Sequence, residues 1–189
     1  MQVEEGRIRV VIERVNPEID GGRFPIKRVI GEKVVVEADI FADSHDVLCA
    51  VLLYRKEDDY QWTEVPMEFL VNDRWRGSFV VTELGRYYYT LMAWVDRFKS
   101  WRQNLAKKSE AGQDVSIDIL TGAQFIAEAK QRASDSDAQT MQEWAKALRS
   151  ARVSEPAKLK LALSEEVVAL VNKYLDRRFA TTYLKELIV

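Results

Sequence analysis

Over its first 120 residues the chain alternates apolar and polar positions in short segments, which is the pattern of half-buried β-strands. Lys33–Phe41 is the clearest segment, because every second residue from Val34 to Ile40 is apolar. Five further segments are rich in β-branched and aromatic residues and predict strands: Arg7–Val15, Val47–Arg55, Trp62–Met67, Arg74–Val81 and Arg86–Val95. Asp114–Leu120 alternates in the same way. Short strands with no helical pattern between them predict a β-sandwich over residues 1–120.

After residue 120 the apolar spacing becomes helical. Phe125, Ile126 and Ala129 begin one helix, and the stripe of a second helix consists of Met141, Trp144, Ala145 and Leu148. Ser154–Pro156 marks a break, and Ser164 is a suitable N-cap for a further helix. We therefore expect a bundle of about three helices over residues 121–178, which follows or interrupts the sandwich. The segment 179–189 returns to β-type composition and ends in mid-pattern, which indicates a truncated β-segment that either rejoins the sandwich or forms an open edge.

Composition narrows the class of protein. The chain has 189 residues, of which 47% are hydrophobic and 31% charged, and its net charge of −2 is typical of a soluble globular protein rather than a nucleic-acid binder. It is shorter than the roughly 250 residues that a (β/α)₈ barrel takes. No apolar run approaches the ~20 residues of a membrane span and no signal peptide is visible, so we expect a cytoplasmic location without membrane contact.

The sequence contains no motif that would place catalysis or a cofactor. It lacks a Gly-x-Ser-x-Gly elbow, a phosphate-binding loop and a dinucleotide-binding glycine pattern, so we predict no catalytic residue and no cofactor. A single histidine and a single cysteine exclude a His–His metal pair and an internal disulfide, and no metal site is predicted. His45, between Asp43 and Asp46, fits an acid/base unit less well than a hydrogen-bonded hairpin loop.

Aromatic side chains offer two further candidate functions. Trp62, Trp75 and Trp101 could stack on glucose rings as a glycan-binding platform, although tryptophans in a sandwich more often fill the core. Trp94–Arg102 interleaves aromatic and cationic residues, which suits a glycan or partner contact as well as a purely structural role. On the second helix, the residues Met141, Trp144 and Leu148 are candidates for a partner interface, with burial within their own domain as the alternative.

Several stretches together resemble the N-terminal region of the bacterial maltose-1-phosphate maltosyltransferases. The matching residues occur in the family's order over residues 7 to about 125: Val15–Arg28, Gly31–Glu32, Phe41–Asp46, Asn72–Trp75, Ala93–Asp96, Phe98 with Trp101, and Lys108–Asp114. Each stretch alone is weak, but their number makes the resemblance specific. One departure is Ser44, where the family pattern has glycine before the histidine.

The resemblance implies both a fold and a role. Members of this family belong to the α-amylase superfamily and transfer maltosyl from α-maltose 1-phosphate to an α-1,4-glucan. Their two catalytic carboxylates lie on a barrel that this sequence does not contain, so no catalytic residue is carried over to it. The resemblance implies an immunoglobulin-like sandwich with a helical insertion, which acts as a non-catalytic dimerisation scaffold for the barrel of the same polypeptide, with an α-glucan contact as a further possibility.

Overall fold

A computed structural model describes residues 9–43 and 45–189. The chain forms two compact units. One extends up to Asp96 and includes Arg178–Val189, and the other is Arg97–Arg177. Each unit has an apolar core of its own. We call them the β unit and the helical unit.

The β unit consists of two antiparallel sheets. In the described residues its strands are β1 (Val10–Asn16), β2 (Lys33–Ala42), β3 (Leu48–Lys56), β4 (Thr63–Pro66), β5 (Glu68–Phe69), β6 (Arg74–Val80), β7 (Tyr87–Val95), β8 (Thr181–Thr182) and β9 (Leu187–Ile188). One sheet has the order β1-β2-β6-β5. The other has the order β4-β3-β7-β8, and β9 also pairs with β7. The strands predicted over the first 95 residues are confirmed, while residues 7 and 8 of the first one lie outside the described residues.

One apolar core joins the inner faces of the two sheets. On β2 the alternating residues are fully buried, as the sequence pattern predicts: Val34, Val36, Ala38 and Ile40. They share the core with Leu52 of β3 and Leu91 of β7. On the outer side of β2, Glu37 and Asp39 form ion pairs with Arg74 of β6 at 3.3 and 2.9 Å. The alternation of β2 thus separates an apolar inner face from a charged outer one.

The last β-type segment belongs to the β unit. Thr181 and Thr182 pair with Ala93 and Met92 of β7, and Leu187 pairs with Tyr89. Leu187 is 2% exposed, so the segment contributes to the core of the unit. The strands β8 and β9 therefore reach the same sheet as strands that precede them by about 90 residues in the sequence.

The helical unit has more helices than expected. The described residues contain α1 (Arg97–Glu110), α2 (Ser116–Lys130), α3 (Asp135–Arg149), α4 (Glu155–Ala162) and α5 (Glu165–Lys173). The prediction of about three helices is therefore wrong. The two helices beyond the expected three are α1 and α4. In α1 the buried positions Phe98, Trp101 and Leu105 follow helical spacing but are separated by cations. The predicted N-cap at Ser164 is confirmed, since its side chain accepts a hydrogen bond from the backbone N–H of Val167.

Asp114–Leu120, which was predicted as a strand, is instead the start of α2. The carboxylate of Asp114 accepts hydrogen bonds from the backbone N and the hydroxyl of Ser116, which holds the first turn in place. Val115 and Ile119 are buried four residues apart, whereas Ile117 between them is 79% exposed. Over so few residues the same apolar positions fit a strand period of 2 and a helical period of 3.6. The hydrogen bonds that Asp114 accepts from Ser116 favour the helix.

Candidate functional site

Two of the three candidate stacking tryptophans are core residues. Trp75 on β6 is 8% exposed, and its indole N–H donates to the carbonyl oxygen of Ile40 at 3.1 Å. Trp101 on α1 is 7% exposed, and its N–H donates to the carbonyl oxygen of Asp118 at 2.7 Å. The ring of Trp101 also packs against Phe125 at 6.0 Å between centroids. Neither indole offers an open face on which a sugar could stack.

Trp62 is the candidate that keeps an accessible ring. It is half-buried just before β4, and the guanidinium of Arg55 lies 4.9 Å from its ring centroid. The same guanidinium lies 4.8 Å from the ring of Tyr88 and 3.4 Å from a carboxylate oxygen of Glu186. We call Trp62, Arg55 and Tyr88 the Arg55 stack. Its cation–π contacts orient the indole, so that a glycan contact remains a prediction for Trp62 alone.

The three interface candidates on α3 do not all face outward. Met141 and Leu148 are completely buried and belong to the core of the helical unit. Trp144 is half-buried at the edge of that core. Among the described residues of the helical unit, the exposed large apolar side chains lie on α2, where Ile117 is 79% and Leu120 50% exposed. They are three residues apart and so share one face of that helix.

Sequence reasoning missed a polar cluster that links distant parts of the β unit. The carboxylate of Glu18 accepts hydrogen bonds from the hydroxyl of Tyr183 at 2.5 Å and from the ammonium of Lys185 at 2.6 Å. We call these three residues the Glu18 cluster. Beside it, the backbone N–H of Ile26 donates to the carbonyl oxygen of Ile188 at 2.9 Å. The loop after β1 thus holds the segment of β8 and β9, and partners 165 residues apart give no signal in the sequence pattern.

The hydrogen bonds of the Glu18 cluster and the burial of its residues shift the pKa values of Glu18 and Tyr183. Burial acts to raise the pKa of Glu18, but the hydrogen bonds from Lys185 and Tyr183 together outweigh it, so the pKa lies below the ordinary value of a glutamate. Burial, and then the hydrogen bond to Glu18, raises the pKa of Tyr183 to about 12. At neutral pH Glu18 is therefore an ionised carboxylate and Tyr183 a neutral phenol.

The loop around His45 carries an ion pair between Arg9 and the two flanking aspartates. The guanidinium of Arg9 lies 3.0 Å from Asp46 and 3.5 Å from Asp43, so it engages both carboxylates that flank the histidine in the sequence. His45 itself is exposed, and Ser44 lies outside the described residues. In residues 9–43 and 45–189 no group of three or more His, Cys, Asp and Glu side chains is arranged to hold a metal ion. Across the same residues, no helix has the length and apolar character needed to cross a bilayer.

Two antiparallel sheets with one core and a helical unit with its own core define a chain of mixed β-plus-α class. The chain belongs to a particular family, domain N/S of alpha-1,4-glucan:maltose-1-phosphate maltosyltransferase. The family model matches residues 8–189. This finding confirms the resemblance drawn from the sequence.

Individual relatives agree with the family match. The chain is 46% identical to the alpha-1,4-glucan:maltose-1-phosphate maltosyltransferase of Chlorobaculum tepidum, over 98% of this chain and 27% of that protein. It is 42% identical to the enzyme of the same name from Myxococcus xanthus, over 94% of this chain and 28% of that protein. It is 38% identical to the enzyme of the same name from Methylacidiphilum infernorum, over 92% of this chain and 26% of that protein. The chain thus spans about a quarter of the length of these relatives.

Proposed function

We propose that the chain is the non-catalytic N-terminal scaffold and dimerisation region of a maltosyltransferase, which transfers maltosyl units from α-maltose 1-phosphate to an α-1,4-glucan. The observation that carries this proposal is the family match over residues 8–189. The relatives are several times longer than the chain, which supports a catalytic domain in the same polypeptide. Two antiparallel sheets around one core support an immunoglobulin-like sandwich. The sequence contains one cysteine and so no disulfide within this chain, which fits a cytoplasmic protein.

The non-catalytic part of the proposal is tested by activity measurements on the purified chain. Retaining glycosyl transfer needs two carboxyl groups about 5 Å apart on a rigid frame, one as nucleophile and one as acid/base. We expect the chain to release no phosphate from maltose 1-phosphate and to leave maltohexaose unextended. Turnover that survives extensive purification, and that falls when a particular carboxylate is replaced, would contradict a scaffold role.

The dimerisation part concerns the exposed face of α2. Ile117 and Leu120 expose apolar area on a helix whose opposite face is already buried through Ile119, Ala123 and Ile126. Removal of such area from water is the main driving force for subunit association. We propose this face as the contact between two copies of the chain, in place of Met141 and Leu148, which fill their own core.

Paired variants test this contact in solution. We expect Leu120→Glu to shift the chain toward the monomer in sedimentation velocity, because a charge would be brought into an apolar contact. The matched control is Leu184→Glu, which places the same charge at a side chain 98% exposed in the β unit. Equal sedimentation of the two variants at every concentration would rule out α2 as the contact face.

A second candidate function, glycan binding, is favoured by the Arg55 stack. One side of the indole of Trp62 is held by the Arg55 guanidinium, and the remaining ring area is a preorganised surface on which a glucose ring could stack. Glu57, which accepts a hydrogen bond from the Tyr88 hydroxyl at 3.2 Å, places a carboxylate beside the stack. A contact of this kind would guide a glucan along the β unit.

Titration with maltoheptaose, followed by tryptophan fluorescence, tests this second candidate. If the stack binds glucan, we expect saturable quenching that is lost in Trp62→Ala. The matched control is Phe24→Ala, which removes an aromatic side chain that is 56% exposed elsewhere in the β unit. Absence of a response up to millimolar sugar, or equal loss in both variants, would remove the candidate.

A further inference from the structure

An open groove of about 560 Å³ lies between α2 and α3 within the helical unit. Three cationic side chains line it, Lys130 from α2 and Lys146 and Arg149 from α3. Gln142 and Ser150 add polar groups to its wall. On α3, residues 142, 146 and 149 share one face of the helix, because they are four and seven residues apart.

Unlike Arg102, Lys108 and Lys173 of the same unit, the cations of this groove have no carboxylate partner among the described residues. Elsewhere Arg102 pairs with Glu165, Lys108 with Asp118, and Lys173 with Asp137, at 2.5 to 2.8 Å. The lining of the groove contains no acidic residue. Within the described part of the chain, no carboxylate oxygen lies within 4.0 Å of the charged nitrogens of Lys130, Lys146 or Arg149. The groove therefore gathers three positive charges on a protein whose net charge is −2.

Two of these cations are positioned by hydrogen bonds to neutral groups. The ammonium of Lys130 donates to the side-chain oxygen of Gln142 at 2.8 Å, and the guanidinium of Arg149 donates to the carbonyl oxygen of Ala123 at 3.2 Å. Both groups keep further N–H donors. Lys146 lies between Gln142 and Arg149 on α3 and is exposed. From Gln142 to Arg149 the helix rises about 10 Å, which matches the size of a small ligand rather than of a single monatomic ion.

We infer that this groove binds a small phosphate-bearing ligand, either a phosphate monoester or a diphosphate. Arginine and lysine recognise phosphate oxygens through charge-assisted hydrogen bonds, and neutral donors such as Gln142 and Ser150 can complete the contact. Like charges three residues apart, as at Lys146 and Arg149, repel each other on a bare helix, and a bound anion would relieve that repulsion. This inference is independent of the proposed scaffold role.

Isothermal titration calorimetry of the chain at low ionic strength tests the inference with four probes: inorganic phosphate, pyrophosphate, glucose 1-phosphate and uncharged glucose. We expect saturable binding of pyrophosphate or glucose 1-phosphate and none of glucose. Tighter binding of glucose 1-phosphate than of inorganic phosphate would assign the groove to esters, and the reverse order would assign it to free phosphate anions.

A charge-matched pair of variants locates the binding. Lys146→Gln should weaken the affinity about three- to fivefold, the magnitude of one exposed charge pair. Lys160→Gln, which removes the same charge from an exposed position on α4, should leave the affinity unchanged. Circular dichroism would verify that both variants keep their helices. Equal weakening in both variants, or no saturable binding of any phosphate probe at millimolar concentration, would overturn the inference.

Discussion

At Gly122 the neighbouring indole of Trp101 leaves no room for a larger residue. A Cβ built on it would lie 2.5 Å from Cη2 of Trp101, so the indole occupies the space that any larger residue would need. In an open helix, alanine is more stable than glycine by about 1 kcal/mol. Here we predict the opposite sign, with Gly122→Ala lowering the free energy of unfolding by about 1–3 kcal/mol through overpacking. Urea denaturation measures this change in the free energy of unfolding. The neighbouring exposed substitution Thr121→Ala should change stability little, and an increase in stability for Gly122→Ala would refute this packing.

Single residues also limit what the sequence could reveal about the candidate site. The sequence around Trp75 and Trp101 favours a core residue but also fits a sugar platform. In the fold the two indole N–H groups donate to the carbonyl oxygens of Ile40 and Asp118, which lie 35 and 17 residues away in the sequence. The local sequence pattern holds no information about partners so far along the chain. The hydrogen bonds that hold the two indoles in the core are therefore known only from the fold.

Among the elements, the loop after β1 and the C-terminal strands form a pair whose stability should depend on pH. Because the pKa of Glu18 is lower in the folded chain than in the unfolded one, its stabilising effect is present at neutral pH and is lost as pH falls through the folded-state value. We predict that between about pH 5 and pH 3 the unfolding free energy of Glu18→Gln falls less steeply than that of the unaltered chain.

Chemical denaturation at a series of pH values measures these slopes. Glu143→Gln, at an exposed position on α3, is the matched control and should follow the unaltered chain. Identical slopes for the unaltered chain and Glu18→Gln would mean that Glu18 does not couple the loop to Tyr183 and Lys185.

Elements with a regular pattern could be predicted, and those whose pattern is interrupted or fits two periods could not. The ten residues of β2 alternate without a break, and its burial follows that alternation. In α1 the cations Lys99 and Arg102 stand among the aromatic residues and hide the helical spacing. Over Asp114–Leu120, seven residues were too few to separate the two periods.

At the scale of the whole molecule, the chain leaves the β unit and returns to it at neighbouring positions. Ala93 pairs with Thr181 in antiparallel strands of the same sheet. Asp96 follows Ala93 by three residues and Arg178 precedes Thr181 by three, so both lie on the same side of this pair. A short linker can therefore replace the helical unit without stretching the sheet. We predict that a chain in which Gly-Ser residues replace Arg97–Arg177 keeps a β-type far-ultraviolet spectrum and melts cooperatively. Arg97–Arg177 alone should keep a helical spectrum. Loss of cooperative melting in the first would show that the β unit needs the helical one.

The central proposal, that the chain holds two copies of a longer enzyme together, is tested most directly by sedimentation equilibrium over a wide range of concentrations. We predict that the average mass rises with concentration from 21.8 kDa toward twice that value. A constant mass of 21.8 kDa up to the highest concentration reached would contradict dimerisation by this chain.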